Sequence, residues 1–144
     1  MVHPVNLLKE MELKYIRKLF VLCLLLLIGT MVSAQNRIDE LVENHSCLGS
    51  STFTSVVDRD PGTRKINKVV KVLQIPGHQA KTFQQAFLKE RNTGSFGQKR
   101  DGQDETLTLT VETKDRVRIY MLQMKMAGGV SCTSAKVTVI VKYI

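Results

Sequence analysis

The sequence predicts an α+β domain, an antiparallel sheet of about five strands with two helices on one face, in the order α-β-β-α-β-β-β. Three observations lead to this prediction. Two short segments repeat apolar residues at helical spacing. Other segments are rich in β-branched residues or alternate apolar with polar residues, as strands do. Short turns join most of the consecutive strands, which favours antiparallel neighbours.

The first 34 residues are predicted to form a cleaved secretory signal. A basic region at 14–18 precedes ten apolar residues at 19–28, and Val-Ser-Ala at 32–34 supplies the small residues that signal peptidase requires. Ten apolar residues span about 15 Å as a helix, half of the roughly 30 Å core of a bilayer. We therefore expect cleavage, with no stable membrane insertion afterwards.

Removal of the signal defines a single small domain at 35–144, which we expect in the periplasm or outside the cell. Translation can start at Met1 or at Met11, since residues 1–10 are an unusual prelude to a signal. Four Lys/Arg and two Glu leave with the signal, so the formal net charge falls from +8 to +6. This charge favours acidic partners such as an anionic glycan, and export argues against nucleic acid.

The first helix of the domain is predicted at 36–45. Asn36 can cap it, acidic side chains occupy its first turn, and Ile38, Leu41 and Val42 fall on one face.

A β-hairpin is predicted next. Thr52–Asp58 is rich in β-branched residues, Asp60-Pro61-Gly62 has turn chemistry, and Lys65–Ile75 resumes as a strand. The apolar residues of this second strand fall on both of its faces, which predicts a β-bulge near Val69-Val70.

The second helix is predicted at 79–91, where good helix formers place Phe83 and Phe87 in one apolar stripe. The polar, Gly-rich stretch Thr93–Asp104 that follows is predicted to be a loop.

Three strands complete the predicted sheet. Residues 107–111 alternate Leu and Val with Thr, 117–121 continue the alternation beyond a turn, and Lys136–Ile144 closes the domain. The last strand is apolar on both faces, so it is either central or an edge that awaits a partner.

Cys47 and Cys132 are the two cysteines that follow the signal. An even pair in an oxidising compartment predicts a disulfide that closes a loop of about 86 residues, worth up to about 4 kcal/mol. Two free thiols are the alternative. Either cysteine could also act with His45 in a small redox or hydrolytic enzyme, although no recognisable nucleophile motif surrounds them.

No stretch of the sequence predicts a cofactor or a metal site. Phosphate-binding Gly-rich loops, zinc spacings and Ser/His/Asp sets are missing. Asp58 and Asp60 begin like a calcium loop, but Pro61 follows at once and no Glu closes the site. The carboxylates at 101–105 are interpreted as part of a polar loop.

The predicted partner-binding surface combines a strand face with the adjacent loop. Arg116, Arg118 and Tyr120 share one face of their strand, and Lys99 and Arg100 lie in the loop beside it. Basic and aromatic side chains on a rigid scaffold can hold an anionic glycan or a partner protein.

Several runs resemble a known group of sequences. Asp58-Arg59-Asp60-Pro61, Val69–Leu73 and Ala86–Arg91, after a signal that ends Ser33-Ala34-Gln35, are similar to small exported proteins of unknown function from gut Gram-negative anaerobes. The resemblance spans most of residues 35–144. It implies a periplasmic or outer-surface location and brings no activity or site residues with it.

These observations favour an exported, non-catalytic binding module. Its small size and the lack of converging catalytic residues support this function. Two alternatives stay open: the cysteine-based enzyme, and an inhibitor or assembly partner of an envelope protein.

Overall fold

The computed structural model describes residues 4–32, 36–129 and 131–144. The chain divides into two units, residues 1–35 and 36–144. The first unit contains helix α1 (Pro4–Val32). Among the described helices, none has both the length and the apolar character needed to cross a bilayer. The predicted cleavage position after Ala34 lies outside the described residues.

In its described part, the second unit has two helices and six strands. The helices are α2 (Arg37–Ser46) and α3 (Ala80–Glu90). The strands are β1 (Thr52–Arg59), β2 (Ile66–Pro76), β3 (Ser95–Asp101), β4 (Asp104–Glu112), β5 (Arg116–Ala127) and β6 (Ser131–Tyr143).

The six strands form one antiparallel sheet in the order β1-β2-β6-β5-β4-β3. Hairpins join all consecutive strands except β2 and β3, whose connection carries α3 from one half of the sheet to the far edge. The last strand, β6, lies between β2 and β5. Its apolar character on both faces is therefore that of a central strand.

One hydrophobic core lies between the helices and a single face of the sheet. Ile38 of α2 and both Phe83 and Phe87 of α3 are fully buried in it. The strand residues that complete this core alternate along four strands: Leu73, Ile75, Leu107, Leu109, Tyr120, Leu122, Met124, Ala135, Val137 and Val139. The α+β architecture with the second unit's two helices on one face agrees with the prediction.

Helix α2 begins where the sequence predicts. The backbone N–H of Ile38 donates to Oδ1 of Asn36 at 2.8 Å, which satisfies one of the free donors of the first turn. The backbone N–H of Arg37 donates to Oε1 of Glu90 at 3.4 Å. This contact links the start of α2 to the end of α3.

The sheet has six strands rather than about five, so the order is α-β-β-α-β-β-β-β. The stretch Thr93–Asp104, which was expected to be a loop, contains β3, paired with β4 from Ser95 to Asp101. Gly102 takes a positive φ of 60° in the turn between these two strands. Strand β3 has no β-branched residue, so its pairing with the regular strand β4, rather than its own propensity, determines its conformation.

The bulge predicted near Val69-Val70 is not found there. Strand β2 pairs with β6 without interruption, and the irregularity of the β1–β2 hairpin lies between Asp58 and Arg59. The register explains the apolar residues on both faces of β2. Leu73 faces the helices, whereas Val70 falls on the side of the sheet that neither helix covers.

Candidate functional site

One face of the sheet is left uncovered by α2 and α3. We call it the open face, and it carries the side chains that alternate with the core residues, even-numbered on β1, β2, β4 and β6 and odd-numbered on β3 and β5. The centre of the open face is apolar and half-buried by contacts between neighbouring strands. Its central residues are Val70, Val72, Ile119, Met121 and Ile140.

A partly open cavity of about 730 Å³ lies at one end of the open face, where β2 ends and β6 begins. Sites for small ligands commonly have volumes of about 300–1,000 Å³. The residues that line this cavity are Ser50, Thr52, Gln74, Ile75, Pro76, Lys99, Asp101, Asp104, Thr106, Gln123, Met124, Lys125, Ser134, Ala135 and Lys136.

Six polar side chains cross the cavity in one cross-strand row, which we call the polar ladder. Neighbours in this row are directly opposite each other in the strand register, so their side chains lie side by side on the open face. The row spans five interstrand spacings, about 24 Å. From β1 to β3 its members are Thr52, Gln74, Lys136, Gln123, Thr106 and Lys99.

The charges in the cavity favour an anionic ligand. Lys99, Lys125 and Lys136 line it together with Asp101 and Asp104. Within the described ranges, none of these lysines forms an ion pair, so their ammonium groups can contact a ligand. The neighbouring amides and hydroxyls both donate and accept hydrogen bonds. The site can therefore bind an anion that also carries hydroxyl groups.

The structure places the five predicted partner-binding residues in four different surroundings. Lys99 belongs to the polar ladder. Arg100 faces the other side of the sheet and donates from Nη2 to the carbonyl oxygen of Gly129 at 3.0 Å. Arg116 pairs with Asp115 at 3.2 Å, and its guanidinium lies 5.7 Å from the ring centre of Tyr143. The role of these residues in partner binding stays a prediction.

Arg118 and Tyr120 lie on the helix-covered side and contact Asp39 of α2. The Tyr120 hydroxyl donates to Oδ2 of Asp39 at 2.8 Å, and Nη1 of Arg118 donates to the same oxygen at 3.3 Å. Tyr120 is fully buried. Burial raises the pKa of its phenol, and the charge and hydrogen bond of Asp39 raise that pKa further, while Arg118 opposes them. These contacts fasten α2 to the sheet.

The cysteines are free thiols in the structure, so the predicted bridge between Cys47 and Cys132 is absent. Cys132 donates from Sγ to the carbonyl oxygen of Ser134 at 3.2 Å and so points along its own strand. Cys47 is exposed at the end of α2. Burial raises the pKa of the Cys132 thiol, which is opposite to the shift that a nucleophilic cysteine requires.

His45 is held by its own helix. Its Nδ1 donates to the carbonyl oxygen of Leu41 at 2.8 Å, and its ring packs edge-on against Phe83 with 4.9 Å between the ring centres. These contacts account for the position of the imidazole without any catalytic partner.

No group of three or more potential metal ligands is found within the described residues. Asp60 closes the β1–β2 turn, where its Oδ1 accepts from the backbone N–H of Gly62 at 2.8 Å. Asp104 and Glu105 face opposite sides of the sheet, and Oε1 of Glu105 accepts from the Gln98 amide at 2.6 Å. The carboxylates at 101–105 therefore do not converge on one point.

Comparison with known proteins identifies the family. A family model described as a domain of unknown function matches residues 35–135. The chain belongs to the DUF5024 family. Neither the curated proteins nor the solved structures that were compared gave a match. The region shared with DUF5024 contains five of the six polar-ladder residues, and Lys136 lies one position beyond its end.

The sequence identified one residue of the polar ladder, Lys99, and missed the other five. The alternation of polar and buried residues gave a signal for polar side chains on the face opposite the core. Gln123 and Lys125 flank the buried Met124, and Lys136 lies beside the buried Ala135. Alternation assigns a side chain to a face of its strand. It does not show which residues of neighbouring strands lie opposite each other, and this register forms the row.

Proposed function

We propose that this DUF5024 protein is an exported, non-catalytic module that binds an acidic saccharide in the cavity of its open face. The observation that carries the proposal is the polar ladder, an uninterrupted row of amide, hydroxyl and ammonium groups across all six strands. A chain-like ligand that lies along this row meets a hydrogen-bonding group at every strand.

Charge and shape support an acidic saccharide as the ligand. Lys99 and Lys136 are three interstrand spacings apart in the ladder, roughly 14 Å, so they suit a ligand that carries several separated anionic groups. Sugar hydroxyls require both donors and acceptors, which the amides of Gln74 and Gln123 provide. A net charge of +6 after residue 34 adds long-range attraction for a polyanion.

The surroundings of Cys132 and His45 support a non-catalytic role. Among the described residues, Cys132 has a raised thiol pKa and His45 is engaged with its own helix. The cysteine-based enzyme is the alternative function, and it requires a thiol that reacts readily in the folded protein.

Export of the protein is tested by its mass. Intact mass spectrometry of the protein secreted or released from the periplasm is expected to give a chain that starts at Gln35, because signal peptidase cuts after Ala34. Alkylation before unfolding serves as the second readout. Slow modification of Cys132 agrees with a structural thiol, whereas rapid modification of Cys132 supports the enzyme instead. A full-length mass in the cytoplasm would contradict export.

Binding is tested by substituting two lysines at the cavity, and a control pair of lysines at the other end of the open face. The double substitution Lys99→Gln/Lys136→Gln is expected to weaken binding of polygalacturonate or dextran sulfate about tenfold or more, because each lysine contributes a charge-assisted hydrogen bond. Isothermal titration calorimetry at low and high salt measures the loss. Added salt is expected to weaken wild-type binding as well.

The matched control removes two charges from the other end of the same face. Lys68 and Lys142 are paired there, far along the strands from the cavity, so Lys68→Gln/Lys142→Gln should change the affinity less than about twofold. Equal losses in both double variants would show binding by overall charge alone. Equally tight binding of neutral dextran would also contradict the proposal.

A further inference from the structure

Strand β1 is an exposed edge of the sheet with apolar side chains on both of its faces. All eight of its residues are exposed, and it pairs with β2 on one side only. Phe53 and Val57 lie on the helix-covered side with 36% and 45% of their surface exposed, and Val56 lies on the open face with 58% exposed. A ligand on one face would cover only part of this surface, whereas an added strand would cover both faces.

The opposite edge of the sheet has a different character. Strand β3 carries Gln98, Lys99, Arg100 and Asp101 in succession, and charged side chains on an edge strand oppose pairing with another chain. The first six residues of β1, Thr52–Val57, contain no charge, proline or glycine. Only β1 therefore has the composition of an edge that accepts a further strand.

We propose that β1 pairs antiparallel with β1 of a second copy of this chain, which joins the two sheets into one. A dimer of this kind has a two-fold axis perpendicular to the sheet, because that operation both reverses the strand and brings the same edges together. The open faces of the two copies then lie on the same side. Residues that lie opposite each other across the new pair have their side chains on the same face of the sheet. One residue of β1 must therefore lie opposite the same residue of the second copy, and the two-fold axis passes between these two.

The side chains of β1 select one register. With the axis at Ser55, Phe53 lies opposite Val57 of the second copy, and Thr54 lies opposite Val56, and each pair occurs twice. Pairs of aromatic with β-branched residues are among the favourable cross-strand contacts. This register also places the negative charge of Asp58 opposite a neutral threonine of the second copy, so that no like charges meet.

The two neighbouring registers are less favourable. With the axis at Thr54, Phe53 would lie opposite Ser55 and Val57 opposite Ser51, so neither apolar side chain would meet another. With the axis at Val56, Phe53 would lie opposite Arg59 and Thr54 opposite Asp58, and the apolar side chains of the helix-covered side would lose their partners. The proposal therefore predicts the register centred on Ser55. It does not depend on saccharide binding, because none of the side chains in the Phe53–Val57 and Thr54–Val56 pairs lines the cavity. Thr52 is the one residue of β1 that belongs to both the new edge and the polar ladder.

The expected dimer is weak and depends on concentration. One strand from each copy makes an interface at the small end of the range for specific association. Sedimentation velocity of the purified chain from about 1 μM to about 500 μM is expected to show a rise from monomer to dimer. A monomer across this whole range would overturn the proposal.

A charge on β1 should abolish this association. Val57→Lys places a lysine opposite Phe53 of the second copy at two symmetric positions, and it is expected to weaken the dimer at least about tenfold. Val57 is an exposed strand residue, so the fold should be retained. Leu88→Lys is the matched control, since Leu88 is 40% exposed on α3, away from the edge. Equal weakening by both variants would overturn the assignment to β1.

The register is tested by cross-linking. Ser55→Cys, in a chain whose three natural cysteines are replaced by serine, brings two thiols face to face at the axis, within the 4.4–6.8 Å between Cα atoms typical of a disulfide. Oxidised glutathione is expected to link Ser55→Cys efficiently and Val56→Cys poorly, as read by mass spectrometry. Preferential linkage through Val56→Cys, or no linkage through either, would overturn the proposed pairing.

Discussion

Gly77→Ala is expected to lower the free energy of unfolding by about 3 kcal/mol or more. Gly77 lies between the end of β2 and the start of α3, where its backbone lies close against the backbone of Cys132 and Thr133 in β6. A Cβ at this position would overlap the backbone carbonyl of Cys132, and backbone cannot rotate aside as a side chain can. Pro76 and Ser134 pair next to this contact and line the cavity. The substitution should therefore also reduce ligand binding.

A second glycine provides the matched control. Gly97 lies on the edge strand β3, and a Cβ there would meet no atom within 4 Å. Gly97→Ala should leave stability unchanged or raise it by up to about 1 kcal/mol, since alanine restricts the unfolded chain. Urea unfolding followed by circular dichroism compares the two variants. An unchanged urea midpoint for Gly77→Ala would show that Gly77 does not approach the backbone of Cys132 as closely as described.

The sequence was sufficient for those elements whose own residues determine their structure. Asn36 supplies the cap of α2, and the stripe that includes Phe83 and Phe87 faces the core, as helical periodicity requires. The β1–β2 hairpin formed at its predicted turn, where Asp60 accepts backbone hydrogen bonds. These features depend on residues a few positions apart.

Features that depend on distant residues were missed. Strand β3 has no β-branched residue, and its conformation comes from pairing with β4. The apolar residues on both faces of β2 predicted a bulge near Val69-Val70, but β2 pairs regularly with β6, and Val70 and Val72 lie half-buried on the open face. The polar ladder is missed for the same reason, since its row exists only once the strand order β1-β2-β6-β5-β4-β3 is known.

The same limit explains why Tyr120 looked like a surface residue. Its strand neighbours Arg116 and Arg118 suggested a solvated basic face, but the acceptor of its hydroxyl lies 81 positions earlier in the chain, on α2. The sequence pattern of a strand does not show which part of its face is covered by a helix. Arg116 pairs near the exposed end of that face, and Tyr120 lies under α2.

Asp39→Ala should lower the free energy of unfolding by about 3 kcal/mol. The substitution leaves the buried hydroxyl of Tyr120 without its acceptor and the partly buried guanidinium of Arg118 without its carboxylate. Glu40→Ala is the matched control, because Glu40 occupies the same helical turn but forms only an exposed pair with Arg37 at 3.8 Å. That variant should lose no more than about 0.5 kcal/mol. Similar losses in both would show that the helix dipole, rather than the buried contact, sets the effect.

The stability at alkaline pH distinguishes the contribution of the Tyr120 hydroxyl from that of the packing of its ring. The raised pKa of its phenol means that the folded state holds the neutral form, while the unfolded chain ionises near pH 10. The stabilisation from this group is therefore complete below about pH 10 and is lost as the pH rises further, at up to about 1.4 kcal/mol per pH unit. Tyr120→Phe should remove this part of the decline, whereas Tyr143→Phe, at an exposed site, should retain it. If the free energy of unfolding of both variants declines with pH as steeply as that of the wild type, the phenol of Tyr120 ionises as easily in the folded protein as in the unfolded chain. The hydrogen bond to Asp39 would then not keep the Tyr120 hydroxyl protonated.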